Sequence, residues 1–120
     1  MTNLFKKNIW SIPPVILEPT VEIVNWSVRA VTYHHSSDET HHLVGYIPKQ
    51  EGRVTSAIQQ FDSENKIITT RSGRLYTLIG QPGFSDDGEY VWESWKEVNN
   101  IKSEKIITDD YAAKIRKNIM

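Results

Sequence analysis

Four histidines fall within nine positions of the stretch VTYHHSSDETHH: His34, His35, His41 and His42. Imidazoles are the side chains that ligate metals and exchange protons near neutral pH, so this stretch is the first place to look for chemistry. If the polar run Ser36–Thr40 is a turn, its flanks pair as a hairpin, with His35 opposite His41 and His34 opposite His42. Neighbouring side chains on a strand point to opposite faces, so the four would form two separate cross-strand pairs. Zinc takes three or four protein ligands in a tetrahedron. Asp38 or Glu39 could reach over from the turn, but a third ligand would have to come from elsewhere in the chain. His34, His35, His41 and His42 are therefore weak metal candidates, and the expectation is a solvated hairpin tip without a metal or cofactor. A histidine acting as general base also needs an orienting partner and a cleft, which a hairpin tip rarely supplies.

A second constellation is basic. TTRSGRLY places Arg71 and Arg74 on either side of a Ser-Gly turn, with Tyr76 following and Arg53 and Arg29 on earlier strands. Two guanidiniums near exposed amides could hold a phosphate or carboxylate. Arginines among tyrosines on a sheet are also one way to hold single-stranded nucleic acid. The formal net charge of −1 argues against that use, because no global field draws in a polyanion. Arg71, Arg74, Arg53 and Tyr76 stand as the candidate anion or nucleic-acid contacts, with solubilising charge as the plainer explanation.

Aromatic residues make the third constellation. Trp92 and Trp95 lie three apart in EYVWESWKEV, whose apolar positions Val91, Trp95 and Val98 recur at helical spacing. One narrow stripe does not hide all of them, so an aromatic at the helix margin could anchor a partner. Trp10 adds a further aromatic in the apolar stretch before Val21. Trp92, Trp95 and Trp10 are the candidate interaction surface.

The elements that must position these residues follow from pattern. VEIVNWSVRAVTYHH is the longest β-type run, with Val24, Trp26, Val28 and Ala30 at period two facing a core. HHLVGYIP pairs with it, RVTSAIQQF reads as a third strand, and NKIITTRS and RLYTLIG flank Ser72-Gly73 as a hairpin. After GQPGFSDDG, with Ser85, Asp86 and Asp87 as N-cap candidates, comes a helix that ends at Asn99-Asn100. KIIT at 105–108 could add a short strand. Thr108 then caps a last helix with acids in its first turn and bases in its last. Strands first and helices later predict an α+β fold. The expectation is a curled antiparallel sheet of four to five meander strands followed by one or two C-terminal helices, with a small partly open β-barrel as the alternative.

With 120 residues the chain is read as a single domain over 1–120. Residues 1–20, rich in Pro13, Pro14 and Pro19, form an extended arm, and Ile12, Val15, Ile16 and Leu17 are expected to pack it onto the domain. The absence of cysteine excludes disulfides, thiolate zinc sites and thiol nucleophiles. No apolar run is long enough for a signal peptide or a membrane span, so the expected location is cytoplasmic. No phosphate-binding loop, nucleophile elbow or paired acid and base is present. The reading is a non-enzymatic protein-binding accessory module, of the inhibitor, immunity or adaptor type, working by steric occupation of a partner. A homodimer is the accompanying expectation, with no membrane contact. Single-stranded nucleic-acid binding, or a small enzyme or ligand-binding barrel using a histidine, are the alternatives.

Overall fold

The computed structural model describes residues 12–119. Among the described residues the chain is α+β, with seven strands in one mixed sheet and two C-terminal helices. The strands are β1 (Thr20–Tyr33), β2 (Ser36–Ile47), β3 (Glu51–Val54), β4 (Ile58–Asp62), β5 (Ile67–Thr70), β6 (Leu75–Leu78) and β7 (Ile101–Ile106). Helix α1 (Asp86–Val98) precedes β7, and α2 (Thr108–Ile119) follows it. The strand order is β3-β2-β1-β6-β5-β4, with β7 also paired to β1, and the sheet does not close into a barrel.

The long strand β1 organises everything. One edge runs antiparallel to β2 from Val24↔Tyr46 to Tyr33↔Ser36. The other edge is shared: Thr20–Ile23 pair parallel with β6, and Arg29–Tyr33 pair antiparallel with β7. This parallel pair and the insertion of β7 are what a meander of four to five strands lacks. The predicted third strand at 53–61 is also two strands, β3 and β4, which belong to opposite ends of the sheet.

β1 changes phase at Asn25, whose φ is +48°. The register steps from Val24↔Tyr46 to Ser27↔Val44, one extra residue on β1, so the strand bulges there. Val21 and Ile23 before the bulge join Trp26 and Val28 after it in one core cluster. This shift leaves Val24 only half-buried, against the uninterrupted period of two in the sequence, while Trp26, Val28 and Ala30 are buried as predicted.

Both faces of the central strands are covered. On one, Trp26, Val28, Leu43, Ile68, Tyr76 and Leu78 pack with Ala112, Tyr111 and Ile115 of α2. On the other, Val31, Val44 and Val54 pack against Val91 and Trp92 of α1. α1 begins at Ser85, whose Oγ accepts the Gly88 N–H at 3.1 Å, and Asp86, Asp87 and Glu89 sit in its first turn where the helix dipole favours acids. Its buried stripe runs through Gly88, Val91, Trp92 and Ser94, whereas Val98, a predicted stripe member, is exposed.

Small residues in that stripe permit a close approach. A Cβ on Gly52 would lie 2.3 Å from the Asp87 carbonyl carbon, and one on Gly88 would lie 2.8 Å from the Gly45 oxygen. The first turn of α1 rests directly on the β2–β3 backbone. Gly52→Ala is expected to cost about 1–3 kcal/mol, as other overpacked sites do, because backbone rather than a flexible side chain must move. Urea melts check it, and an unchanged midpoint would mean that α1 sits further from β3.

Candidate functional site

β7 is the least covered strand. Its first residue is half-buried and the other five are exposed. Among the described residues it pairs only with β1, so its outer edge is open. The Ile107 N–H bonds the Val28 carbonyl at 2.9 Å. Backbone direction alternates along an antiparallel ladder, so Ser103 and Lys105 turn their polar backbone groups inward to β1, while Glu104 and Ile106 turn theirs outward. Two grooves flank this edge. One, of about 400 Å³, runs between β7 and α1 and is lined by Lys102, Ser103 and Glu104 against Glu93, Lys96 and Glu97. The other, of about 240 Å³, lies at the end of β7 and is lined by Ile106, Pro82, Phe84 and Thr108. Phe84 and Ile106 are exposed apolar side chains.

The ground beneath the edge is polar and fully engaged. Arg29 of β1 is buried and pairs with Glu89 of α1. Its guanidinium lies 5.6 Å from the Phe84 ring centroid and 5.3 Å from that of Trp92, and its Nε donates to Ser27 Oγ at 3.2 Å. Trp92 Nε1 donates to Glu104 Oε2 at 2.9 Å, and Lys96 Nζ donates to Glu104 Oε1. Burial alone would push the Glu104 carboxyl up, but the bonds from Lys96 and Trp92 outweigh it and hold the group below its ordinary value. The edge strand is thereby pinned to α1 by a buried indole and a lysine.

Trp92 is thus 0% exposed and acts from below the surface. It does not anchor a partner directly, as its position in the sequence suggested. Trp95 stacks on it with ring centroids 5.3 Å apart, is half-buried, and also meets the His42 ring at 4.5 Å in a tilted pair. Trp10 lies outside the described residues.

The histidine stretch also folds differently from its prediction. The two-residue turn is His34-His35 itself, and the polar run Ser36–Thr40 is strand. His41 therefore pairs with Ala30 and His42 with Arg29, so no histidine faces another across the hairpin. His34 and His35 are exposed, whereas His42 is only 3% exposed. His42 Nδ1 lies 2.8 Å from the Thr55 carbonyl, which accepts only, so Nδ1 carries the proton and Nε2 accepts from Thr40 Oγ1 at 2.7 Å. Thr40 Oγ1 is 2.7 Å from the Tyr33 hydroxyl. Burial lowers the His42 pKa to about 4, against the opposing bond to Thr55. His42 is a neutral, satisfied core residue. His41 reaches the opposite face, with Nδ1 3.0 Å from the Tyr111 hydroxyl and Nε2 3.3 Å from Glu39 Oε1. Among the described residues no three His, Asp or Glu side chains converge on a common metal position.

The arginine constellation is partly assembled, and its acceptor is the chain itself. Arg53 is 0% exposed and Arg74 and Tyr76 are buried, while Arg71 stays in solvent. Arg74 Nε donates to the Glu18 carbonyl at 2.7 Å, and its Nη2 donates to the Pro13 carbonyl. Arg53 reaches the Glu18 carboxylate at 3.5 Å and the Tyr76 hydroxyl at 3.4 Å. Buried under residues 13–18, Arg53, Arg74 and Tyr76 offer no open sheet surface to a nucleic acid. This correction follows from tertiary pairing that residue type does not reveal. The arm itself differs too: Leu17 and Glu18 N–H groups both bond the Pro14 carbonyl in a tight turn, and Ile16 and Leu17 are 87% and 76% exposed.

Sequence reasoning missed the edge of β7, because KIIT placed the strand at 105–108 when it starts at Ile101, just after Asn100 turns the chain with φ +55°. That asparagine, directly after a capped helix, is the signal that could have placed it. No protein-family model, curated protein or solved structure matches the chain. No helix among the described residues is long and apolar enough to cross a membrane.

Proposed function

We propose that the protein is a non-enzymatic binding module that captures an extended strand of a partner protein along β7 and acts by occupying that segment. The single observation behind this is the open outer edge of β7 with its two flanking grooves. Strand addition supplies main-chain hydrogen bonds for affinity and leaves alternate side chains to be read by neighbouring pockets. Here the outward backbone groups of Glu104 and Ile106 would bond the incoming strand. The charged groove beside α1 and the apolar groove at Phe84 would read its side chains. An unpaired edge of this length is a liability that proteins ordinarily cover, which is a further reason to assign it a partner. Cytoplasmic action belongs to the same reading, and the cysteine-free composition is compatible with it.

Ile106→Pro is the discriminating variant. The Ile106 N–H faces outward, so proline removes the edge donor without removing a bond to β1, and proline is tolerated on edge strands. A photo-crosslinking residue at position 105 is expected to capture partner in the wild type and to lose it in Ile106→Pro, with an unchanged melting curve. The same probe at position 114 on α2 is the control. Sedimentation tells a second copy of the chain from a foreign partner. Undiminished capture by Ile106→Pro would refute the edge as the binding surface.

A further inference from the structure

The buried Arg53 is held by poor contacts from every side. Its nitrogens meet the Glu18 carboxylate, the Gln50 amide oxygen and the Tyr76 hydroxyl at 3.4–3.5 Å, and the Glu51 carboxylate only at 3.7 Å. Its Nε has no acceptor, and neither Glu51 Oε2 nor this nitrogen is satisfied although both are buried. A guanidinium removed from water without close acceptors leaves a large part of its desolvation cost uncompensated. Arg74 beside it behaves differently. It grips two main-chain carbonyls, those of Pro13 and Glu18, at normal or short range.

Besides the two guanidiniums, Gln50 Nε2 donates to Glu18 Oε2 at 3.0 Å, and the Leu75 N–H bonds the Pro19 carbonyl at 2.9 Å just after the turn. Ile16 and Leu17 are exposed and Val15 is half-buried, so the turn at Pro14–Glu18 buries no apolar side chain fully. Removing apolar area from water is the main force that fixes a segment, and here it is weak. We propose that the Arg53–Arg74 cradle is a binding site for an acidic peptide segment that presents a turn, and that the arm residues Pro13–Glu18 fill it as a displaceable internal substitute. The division of labour selects the ligand class. Arg74 recognises two peptide carbonyls at a fixed separation, which free phosphate or a small carboxylate cannot present. Arg53 recognises one carboxylate, and its unpaired Nε is a donor that a closer, bidentate carboxylate would satisfy. Ile16 and Leu17, released with the arm, become apolar contacts for the same partner.

The test uses the full chain and a labelled, capped peptide of this protein's own residues 12–20, IPPVILEPT. In the wild type the tethered arm competes, so binding is weak. In Glu18→Gln the tethered competitor loses its charge, and the peptide is expected to bind about tenfold more tightly, the worth of one charged hydrogen bond. A peptide with glutamine in place of its glutamate should lose that gain, as should Arg53→Met added to Glu18→Gln. Inorganic phosphate should not compete. Should Glu18→Gln fail to fold, hydrogen exchange in the wild type replaces it: saturating peptide is expected to speed exchange at the Leu17 and Glu18 amides. Equal binding by wild type and Glu18→Gln, indifference to the peptide's charge, full competition by phosphate, or unchanged exchange would each overturn the proposal.

Discussion

Trp26→Ala is expected to remove about 3–5 kcal/mol of folding stability, the range for truncating a large buried aromatic. Trp26 is 1% exposed and sits where the sheet meets α2, in one cluster with Leu43 of β2 and Ala112 of α2. Its Nε1 also donates to the Gly80 carbonyl at 3.3 Å, which ties the β6–α1 loop to the core. Alanine would leave both a cavity and an orphaned carbonyl. Typical domains hold only about 5–15 kcal/mol in total, so the variant should be poorly folded at body temperature. Trp26→Phe should lose less, because it keeps most of the volume and forfeits the hydrogen bond. Urea melts measure both, and a loss below about 1 kcal/mol for alanine would show that the bulge at Asn25 does not hold Trp26 in the core.

Acid should destabilise the protein through His42 by a comparable amount. Its pKa in the folded chain is about 4, below the ordinary 6.5. The unfolded chain takes up this proton as pH falls past 6.5, whereas the folded chain refuses it until about 4. The stability of the neutral buried ring is therefore complete above 6.5 and declines as pH falls through that window, by about 3 kcal/mol in all. Glu51, pushed up by burial, titrates with the opposite sign, so the useful quantity is a difference between variants. His42→Gln can still donate to the Thr55 carbonyl and accept from Thr40, but it does not titrate. Its stability is expected to be flatter than the wild type's between those two pH values. Parallel pH profiles for the two proteins would mean that His42 titrates normally and is not sealed.

The fold class and most core residues were legible because their signals are local. Period two exposes Trp26, Val28 and Ala30, and Ser85 caps the first of the two helices, whereas Thr108, the expected cap of the second, is its first helical residue and its Oγ1 accepts the Val28 N–H at 3.0 Å. The phase change at Asn25 was not legible, since Val24 and Ile23 are equally apolar and only pairing with β2 decides which turns inward. The same holds for the histidines. A run such as Ser36–Thr40 is polar enough for a turn, yet it stays extended because β1 pairs with it, with Thr40 opposite Val31 and Glu39 opposite Thr32.

The candidate sites divide along the same line. Trp92, Arg53, Arg74 and Tyr76 were each picked out by residue type, and each is buried through partners remote in the chain: Glu104 for the indole, Pro13 and Glu18 for the arginines. By itself, then, the sequence determined the α+β class, the presence of one or two C-terminal helices and the period-two core of β1 from Trp26 to Ala30, because alternation and helical spacing act within a few residues. Only the tertiary structure decided which polar groups face solvent, that β1 serves β6 and β7 on one edge, and that among the described residues β7 keeps an open edge. Those outcomes depend on contacts between segments many residues apart, which no local pattern encodes.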